Sequence, residues 1–92
     1  MNLIKVNICS VKYHPYDIEK FAIRDINKYY LNADKIKYFT QYTVNNGITI
    51  PVPGVTTVYL ETGDSLLLHI DAEELANELL GLNNNIDNKN ID

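Results

Sequence analysis

Cysteine and histidine, the residue types that most often bind zinc, are scarce in this 92-residue chain. It contains one cysteine, Cys9, and two histidines, His14 and His69, at separations that match no zinc-binding motif. Two imidazoles and one thiol are also too few to enclose a structural zinc ion. We therefore predict no metal site and no cofactor.

Two serines precede these histidines by four positions, and such pairs could supply a nucleophile and its base. The pairs are Ser10 with His14 and Ser65 with His69. Residues four apart on a strand or loop do not converge as the members of a catalytic triad must. We therefore expect surface polar residues here, no catalytic residue, and a protein that is not an enzyme.

Tyrosine is the one enriched residue type. The seven tyrosines are Tyr13, Tyr16, Tyr29, Tyr30, Tyr38, Tyr42 and Tyr59. On a sheet, their rings could stack on single-stranded bases or pack in a protein interface. The nearby cations Lys28, Lys35 and Lys37 are few and the net charge is −4, which disfavours nucleic acid as the main ligand.

Charge is unevenly distributed along the chain. Residues 1–50 have a net charge of +3, whereas residues 51–92 have a net charge of −7. This division indicates no uniformly basic face for nucleic acid, and it is compatible with a charged partner or a head-to-tail contact between copies. A solvated surface that simply mixes both signs is the plainer interpretation.

Length and composition indicate one small soluble domain. A chain of this size buries only about 60–65% of its unfolded surface, so association would add stability. The single cysteine excludes an internal disulfide and favours a reducing interior, and no apolar run approaches the roughly 20 residues of a membrane span. The abundance of Asn, Ile, Lys and Tyr suits the AT-rich genomes of many bacteria and phages. We expect a cytoplasmic protein, or one assembled into a phage particle.

The elements that would position these side chains are organised around residues 55–81. Val58 and Leu60 alternate with polar residues, which predicts a strand. Thr62-Gly63-Asp64 predicts a tight turn because glycine accepts a positive φ, and Ser65–Ile70 then returns as an antiparallel strand. Both faces of this second strand are partly apolar, as is typical of a central strand: Leu66, Leu68 and Ile70 on one, Leu67 and His69 on the other.

A helix should follow, since Asp71 and Glu74 form a capping-box pattern. We predict that it begins at Ala72 and ends at Gly81 in a left-handed C′ conformation. The Asn-rich residues 82–92 form a tail that we expect to be disordered unless bound. The core-facing stripe is Leu75, Ala76, Leu79 and Leu80, and the acids Glu73, Glu74 and Glu78 form a solvated face rather than an acid/base pair.

The N-terminal half is less regular. Leu3–Val11 alternates as a half-buried strand, with Ile4, Val6 and Ile8 on one face and Lys5, Asn7 and Cys9 on the other. Lys12–Lys20 loses the alternation and Pro15 restricts His14, so we predict a loop or a single helical turn. Phe21–Ile26 fits either a helical stripe or a strand.

The middle of the chain predicts a strand at Ile36–Val44 and a turn at Asn45-Asn46-Gly47. In the following ITIPVPGV, Pro51 and Pro53 lack backbone donors, which allows only an edge strand or a polyproline-like segment. With Val52 between them, these prolines are expected to form a flexible or partner-facing flap.

Three runs, IRDINKYYLNADKIKYF, TTVYLETGDSLLLHI and DAEELANELL, carry a family resemblance over residues 22–80. They resemble the strand–turn–"YLNPDLI", "TxIxLxNG" and helix elements of small β proteins of the flagellar swarming-motility (FlbD-like) type and similar short phage-encoded proteins. The chain departs from that pattern by an additional N-terminal segment, a longer central connection, and Lys28 where the family turn has glycine. The resemblance implies a strand at residues 21–26, a short strand at Lys28–Leu31 and a turn at Asn32–Lys35. It carries over no catalytic residue, because the family has no agreed activity.

Together, these patterns predict the α+β class: a β-dominated small domain at residues 1–81, with five to six mostly antiparallel strands and one C-terminal helix. We expect a non-enzymatic protein-interaction or assembly module, of the phage-encoded or virion-associated structural type, whose partner is another protein or a second copy. The alternative is a small nucleic-acid-associated regulator. The candidate contact residues are Phe39, Tyr59 and Leu67, expected on the sheet face opposite the helix, and Pro51, Val52 and Pro53.

Overall fold

The computed structural model describes residues 1–14, 17–45 and 47–91. Within these residues it has five strands and one C-terminal helix, and a 3-10 turn at Ala33–Lys35 joins the second strand to the third. All paired strands are antiparallel, in one sheet of order β2-β1-β5-β4-β3, which confirms the predicted fold class. The elements are β1 (Leu3–His14), β2 (Asp17–Asn32), β3 (Ile36–Asn45), β4 (Thr49–Leu60), β5 (Ser65–Leu68) and α1 (Ala72–Ile91).

The sheet curls so that its two edge strands come together. β2 and β3 lie at opposite edges, yet only the three residues of the 3-10 turn separate them. Backbone hydrogen bonds fasten this turn on both sides: the N–H of Ala33 donates to the carbonyl of Asn2 (2.7 Å), and that of Glu61 donates to the carbonyl of Lys35 (3.0 Å). The start of β1 and the end of β4 therefore meet at this turn, and the sheet has a concave and a convex face.

The core lies on the concave face, where α1 packs. Leu75 of the helix is fully buried against Val58 and Leu68 of the central strands. Val6 and Leu31 extend the same cluster into β1 and β2. Burial of side chains of this size stabilises the fold by about 1.5–3 kcal/mol each, so the helix and the central strands hold each other in place.

The β4–β5 hairpin forms as predicted. Gly63 has a φ of 95°, a conformation that glycine adopts without steric cost. Its N–H donates to the carbonyl of Leu60 (3.0 Å), and the N–H of Leu60 donates to the carbonyl of Asp64 (2.9 Å). β5 pairs with β1 on one side and β4 on the other, so its predicted central position is also confirmed.

β1 and β2 form one long hairpin that the sequence patterns did not indicate. The loop or helical turn predicted at Lys12–Lys20 is wrong in its described parts, because β1 continues to His14 and β2 begins at Asp17. The prediction about Pro15 lies outside the described residues. Phe21–Ile26 is a strand, as the resemblance implied, and the short strand predicted at Lys28–Leu31 is the end of the same β2.

The proline-bearing part of β4 has a free edge. Pro51 lies opposite Thr43 of β3, whereas β5 pairs with β4 only over residues 56–59. A missing N–H is tolerated at such an edge, which agrees with the predicted edge strand. The sequence predicts a turn at Asn45-Asn46-Gly47, before the proline segment. Asn46 lies outside the described residues, and Gly47 has a φ of 83°.

Helix α1 begins at Ala72, as predicted, and the N–H of Leu75 donates to the carbonyl of Asp71 (3.0 Å) as its first helical bond. The predicted end at Gly81 is wrong, because the helix continues to Ile91. The expectation that residues 82–92 are disordered unless a partner binds them stays a prediction. Despite the 20-residue length of α1, the described chain contains no helix with both the length and the apolar character needed to cross a membrane.

Candidate functional site

The convex face of the sheet, opposite α1, carries the candidate contact surface. Side chains alternate along each strand, so the neighbours of buried Val6, Val58 and Leu68 point to the convex side. The ladder register aligns these neighbours in rows across the sheet. We call them the outer face; they are Lys5, Asn7, Cys9, Val11, Tyr13, Phe21, Ile23, Lys28 and Tyr30 on β1 and β2, and Tyr38, Thr40, Thr57, Tyr59, Ser65 and Leu67 on the other strands.

The apolar residues of β1 change face halfway along the strand. In the first half, Ile4, Val6 and Ile8 point into the core. In the second half, the apolar residues Val11 and Tyr13 occupy the outer face instead. The core beneath the sheet therefore ends near Ile8, and the rest of the strand presents its apolar side outward.

A bulge in β2 accommodates this change. The register steps from Ile8 opposite Asn27 to Ser10 opposite Arg24, so β2 has one residue more than β1 at this point. Asp25 takes a φ of 55°, and its carboxylate accepts a hydrogen bond from the Ser10 hydroxyl (2.8 Å). Beyond the bulge, the cross-strand pairs of the outer face are apolar: Val11 with Ile23 and Tyr13 with Phe21.

Beyond this bulge, β1 and β2 form a two-stranded arm, residues 10–14 and 17–24. β5 pairs with β1 at Leu68 opposite Ile8, and the strands of the described chain provide no third partner for the arm. The radius of gyration is 15.2 Å, against about 12 Å for a compact domain of this length. The molecule measures 56 × 21 × 20 Å. The arm therefore extends the outer face beyond the helix-backed part of the sheet.

Two predicted contact residues lie on the outer face. Tyr59 stacks on Tyr38, directly opposite in the ladder, with ring centroids 4.5 Å apart and planes inclined by 22°. In the next row, half-buried Leu67 lies opposite Thr57. The positions of Tyr59 and Leu67 are as expected, and their role in a contact stays a prediction.

The predicted outer position of Phe39 is wrong. Phe39 lies opposite the buried Val58 and packs against the core. The cause is a register shift between Ile36 and Tyr38, which puts these two residues on opposite faces although their spacing suggested the same face. Such a bulge cannot be recognised from the pattern of apolar and polar residues in β3.

The proline segment is fastened at several points rather than forming a free flap. Pro51 and Pro53 are exposed, but Val52 is only 1% exposed, so its predicted role as a surface contact is wrong. The side-chain amide Nε2 of Gln41 donates to the carbonyls of Val52 (2.5 Å) and Val55 (3.2 Å). These bonds close the bulged part of β4 onto β3.

Asp71 fastens the other side of that bulge. Gly54 has a φ of 77°, and its N–H donates to the carboxylate Oδ1 of Asp71 (2.8 Å). The residue that precedes helix α1 therefore also anchors β4. No sequence pattern indicated this contact, because residues 17 positions apart with no shared periodicity give no signal.

A cleft of about 310 Å³ lies where the 3-10 turn, β3 and α1 meet. Its apolar lining includes Ile36, Phe39 and Leu79, and its charged residues are Asp34 and Lys37. The cysteine, histidine and serine side chains considered for catalysis are not among the residues that line it. The cleft therefore has a mixed lining of apolar and charged side chains.

The described side chains give no support to catalytic chemistry. The Ser10 hydroxyl donates to Asp25, and the side chain of its predicted partner His14 lies outside the described part. Burial raises the pKa of the Cys9 thiol, which disfavours the reactive thiolate. Among the residues that the structure describes, no three His, Cys, Asp or Glu side chains are placed to hold a metal ion.

No family model, curated protein or solved structure matches the chain. The resemblance to FlbD-like proteins therefore stays a prediction.

Proposed function

We propose that this protein is a non-enzymatic interaction or assembly module that binds another protein, or a second copy of itself, through the outer face and the arm. The observation that supports this is the apolar row of the arm. Its four side chains lie on one side of a two-stranded ribbon, and Tyr13 among them is 55% exposed. From its residue usage, we place this assembly in a bacterial cell or a phage particle.

A contact through the face of the sheet agrees better with the arm than a contact through its edge. The edge strand β2 contains the Asp25 bulge and the exposed charges of Arg24 and Lys28. Bulges and charges are the features that protect an edge from pairing with another strand. A contiguous apolar surface with tyrosines is, by contrast, typical of a protein interface.

Site-specific photo-crosslinking in the cells that naturally produce the protein tests this proposal. A photoreactive amino acid replaces Tyr13 or Leu67 on the outer face, and Thr62, exposed in the β4–β5 turn, is the control position. We expect discrete protein adducts from both outer-face positions and none from Thr62. Equal labelling from all three positions, or no adduct from any, would contradict the proposal.

One observation favours a second candidate, a nucleic-acid-associated regulator. On the outer face, Lys5 lies directly opposite Tyr30, and Lys28 is on the adjacent row. A ring beside a cation is the arrangement that single-strand binding proteins use. Fluorescence anisotropy with single-stranded and duplex oligonucleotides at low salt tests it. Micromolar, salt-sensitive binding that disappears in Lys5→Glu/Lys28→Glu would favour this candidate over the first.

A further inference from the structure

We propose that the outer face binds the exposed side of helix α1 of a second copy of this chain, so that copies stack head to tail. This inference rests on the proposed function, because it names the partner of the same surface. Its basis is a complementarity of charge between the two sides of the molecule.

The outer face carries cations that no described acid neutralises. Lys5 and Lys28 lie on adjacent strands of this face, and both are exposed. Neither forms an ion pair within the described part of the chain. The carboxylate of Asp25 is directed to Ser10, whose alternation with Cys9 and Val11 places it on the concave side. The outer face is therefore apolar and positively charged.

The exposed side of α1 has the opposite charge. Leu75 and Leu79 turn one side of the helix toward the core, and over residues 72–81 the exposed side chains lie on the other side. No cation of the described residues forms an ion pair with the acids there. This side presents Glu73, Glu74, Glu78 and Leu80. Leu80 is 56% exposed, so its predicted place in the core-facing stripe is wrong.

These two surfaces match in both polarity and charge. The acids of one copy would lie over Lys5 and Lys28 of the next, and Leu80 would contact the apolar part of the outer face near Val11 and Leu67. Two outer faces meeting each other would instead bring the same lysines together. Like charges in one interface are unfavourable, whereas complementary charges steer and orient association.

The geometry also predicts how the assembly grows. The outer face and α1 lie on opposite sides of the sheet, so one copy can use both surfaces at once. A contact between two different surfaces is heterologous and does not close at a dimer. We therefore expect species beyond the dimer, as rings or short filaments, when the concentration rises.

Light scattering of the full chain tests the proposal, with a monomer mass of 10.5 kDa as reference. Three variants are compared with the wild type: Lys5→Glu/Lys28→Glu on the outer face, Glu74→Lys/Glu78→Lys on the helix, and Lys35→Glu/Lys37→Glu as a control. The control makes the same change of charge as the first variant, at exposed lysines outside the outer face. Urea melts establish that each variant is folded.

We expect the wild type to associate beyond the dimer and to dissociate when salt is raised. The first two variants should each weaken association at least tenfold, the control less than threefold. An equimolar mixture of the first two should associate again, because each supplies the surface that the other has lost.

Several outcomes would overturn the inference. A helix variant that associates like the wild type would mean that outer faces bind each other, and a control as weak as the outer-face variant would mean a general effect of net charge. A wild type that stays monomeric to millimolar concentration, but is photo-crosslinked to a different protein through Tyr13 and Leu67, would refute head-to-tail stacking. It would leave the proposed function standing. A monomeric wild type without adducts would refute the proposed function as well. Oligonucleotide binding lost with Lys5 and Lys28 would assign the outer face to nucleic acid.

Discussion

Leu67 and Leu68 are adjacent on β5, and their side chains lie on opposite faces of the sheet. Leu68 points into the core, where it is fully buried beneath α1, whereas Leu67 lies half-buried on the outer face among neighbours of its own sheet. Their chemistry is the same, so the difference comes from what covers each face. The concave face is enclosed by the curl of the sheet and by the helix, whereas α1 lies on the opposite side of the sheet from the convex face.

Truncating each of the two leucines to alanine should give the largest difference in the free energy of unfolding between the two faces. Leu68→Ala should lower the free energy of unfolding by about 2–5 kcal/mol, since it leaves a cavity in a fully packed site. Leu67→Ala should lower it by only about 1 kcal/mol, because a half-exposed side chain loses part of the transfer free energy and leaves no cavity. Equilibrium urea melts give both values. Equal losses would show that both faces are packed interior.

Two neighbouring polar residues of β3, Gln41 on the concave side and Thr40 on the outer face, give a second comparison of the two faces. Gln41 donates to two carbonyls of the β4 bulge, and no buried nitrogen or oxygen of the described side chains lacks a partner. Gln41→Ala leaves those carbonyls unpaired and should lower stability by about 1–3 kcal/mol. The neighbouring Thr40, exposed on the outer face, is the control, and Thr40→Ala should stay within about 0.5 kcal/mol of the wild type. A Gln41 effect no larger than the control would mean that water replaces both bonds.

Asp71 tests how the helix is held over the concave face. Asp71→Ala removes the acceptor for the Gly54 N–H and the predicted N-cap acceptor of α1, and should lower stability by about 0.5–2 kcal/mol without changing the fold. Asp71→Asn keeps the Oδ1 acceptor and serves as the matched control, with an expected loss well below that of alanine. The test is the midpoint of equilibrium urea melts, compared between variants whose dependence of unfolding free energy on urea is the same. An unchanged midpoint in Asp71→Ala would mean that neither bond contributes.

The concave side could be predicted from the sequence, because its signals are local. The alternation around Val58 and Leu60 and the glycine of the β4–β5 turn act within a few positions, and both form as predicted. Helix α1 also begins at the predicted residue. The central position of β5 followed from apolar residues on both its faces. Its partner strand β1 could be predicted from Leu3 as far as Val11, three residues short of its end at His14.

The arm and the bulges could not be predicted, for a physical reason. A bulge shifts the phase of the alternation, and a single sequence does not show whether a break in phase is a loop or a change of face. The lost alternation of Lys12–Lys20 therefore predicts a loop or helical turn, although β1 continues to His14 and β2 begins at Asp17. The same ambiguity placed Phe39 on the wrong face.

Val52 and Gly81 were both misjudged from their neighbours in the sequence. Exposed prolines on either side suggested an exposed Val52, but the bonds from Gln41 draw the segment inward and bury it. Glycine often ends a helix, yet Gly81 lies within α1 and its side of the helix has open space where a Cβ would be. Neither outcome has a signal in the neighbouring residues.

The smallest expected effect on stability belongs to Leu67→Lys, and it bears most directly on the outer face. If this face is a contact surface and not interior, lysine can extend its charged end into water while its methylenes replace the leucine, so the free energy of unfolding should change by less than about 1 kcal/mol. The melt is performed at low protein concentration and high salt, where association is suppressed. Leu68→Lys is the matched control, and it should prevent folding, because a charge would be placed in the core without a partner. In light scattering at higher concentration, the same Leu67→Lys protein should associate more weakly than the wild type, since the substitution removes apolar area that Leu80 of the next copy would contact. A Leu67→Lys chain that unfolds, together with a wild type that is monomeric at every concentration, would show that the convex face is internal core and that the difference between the two leucines is only one of degree.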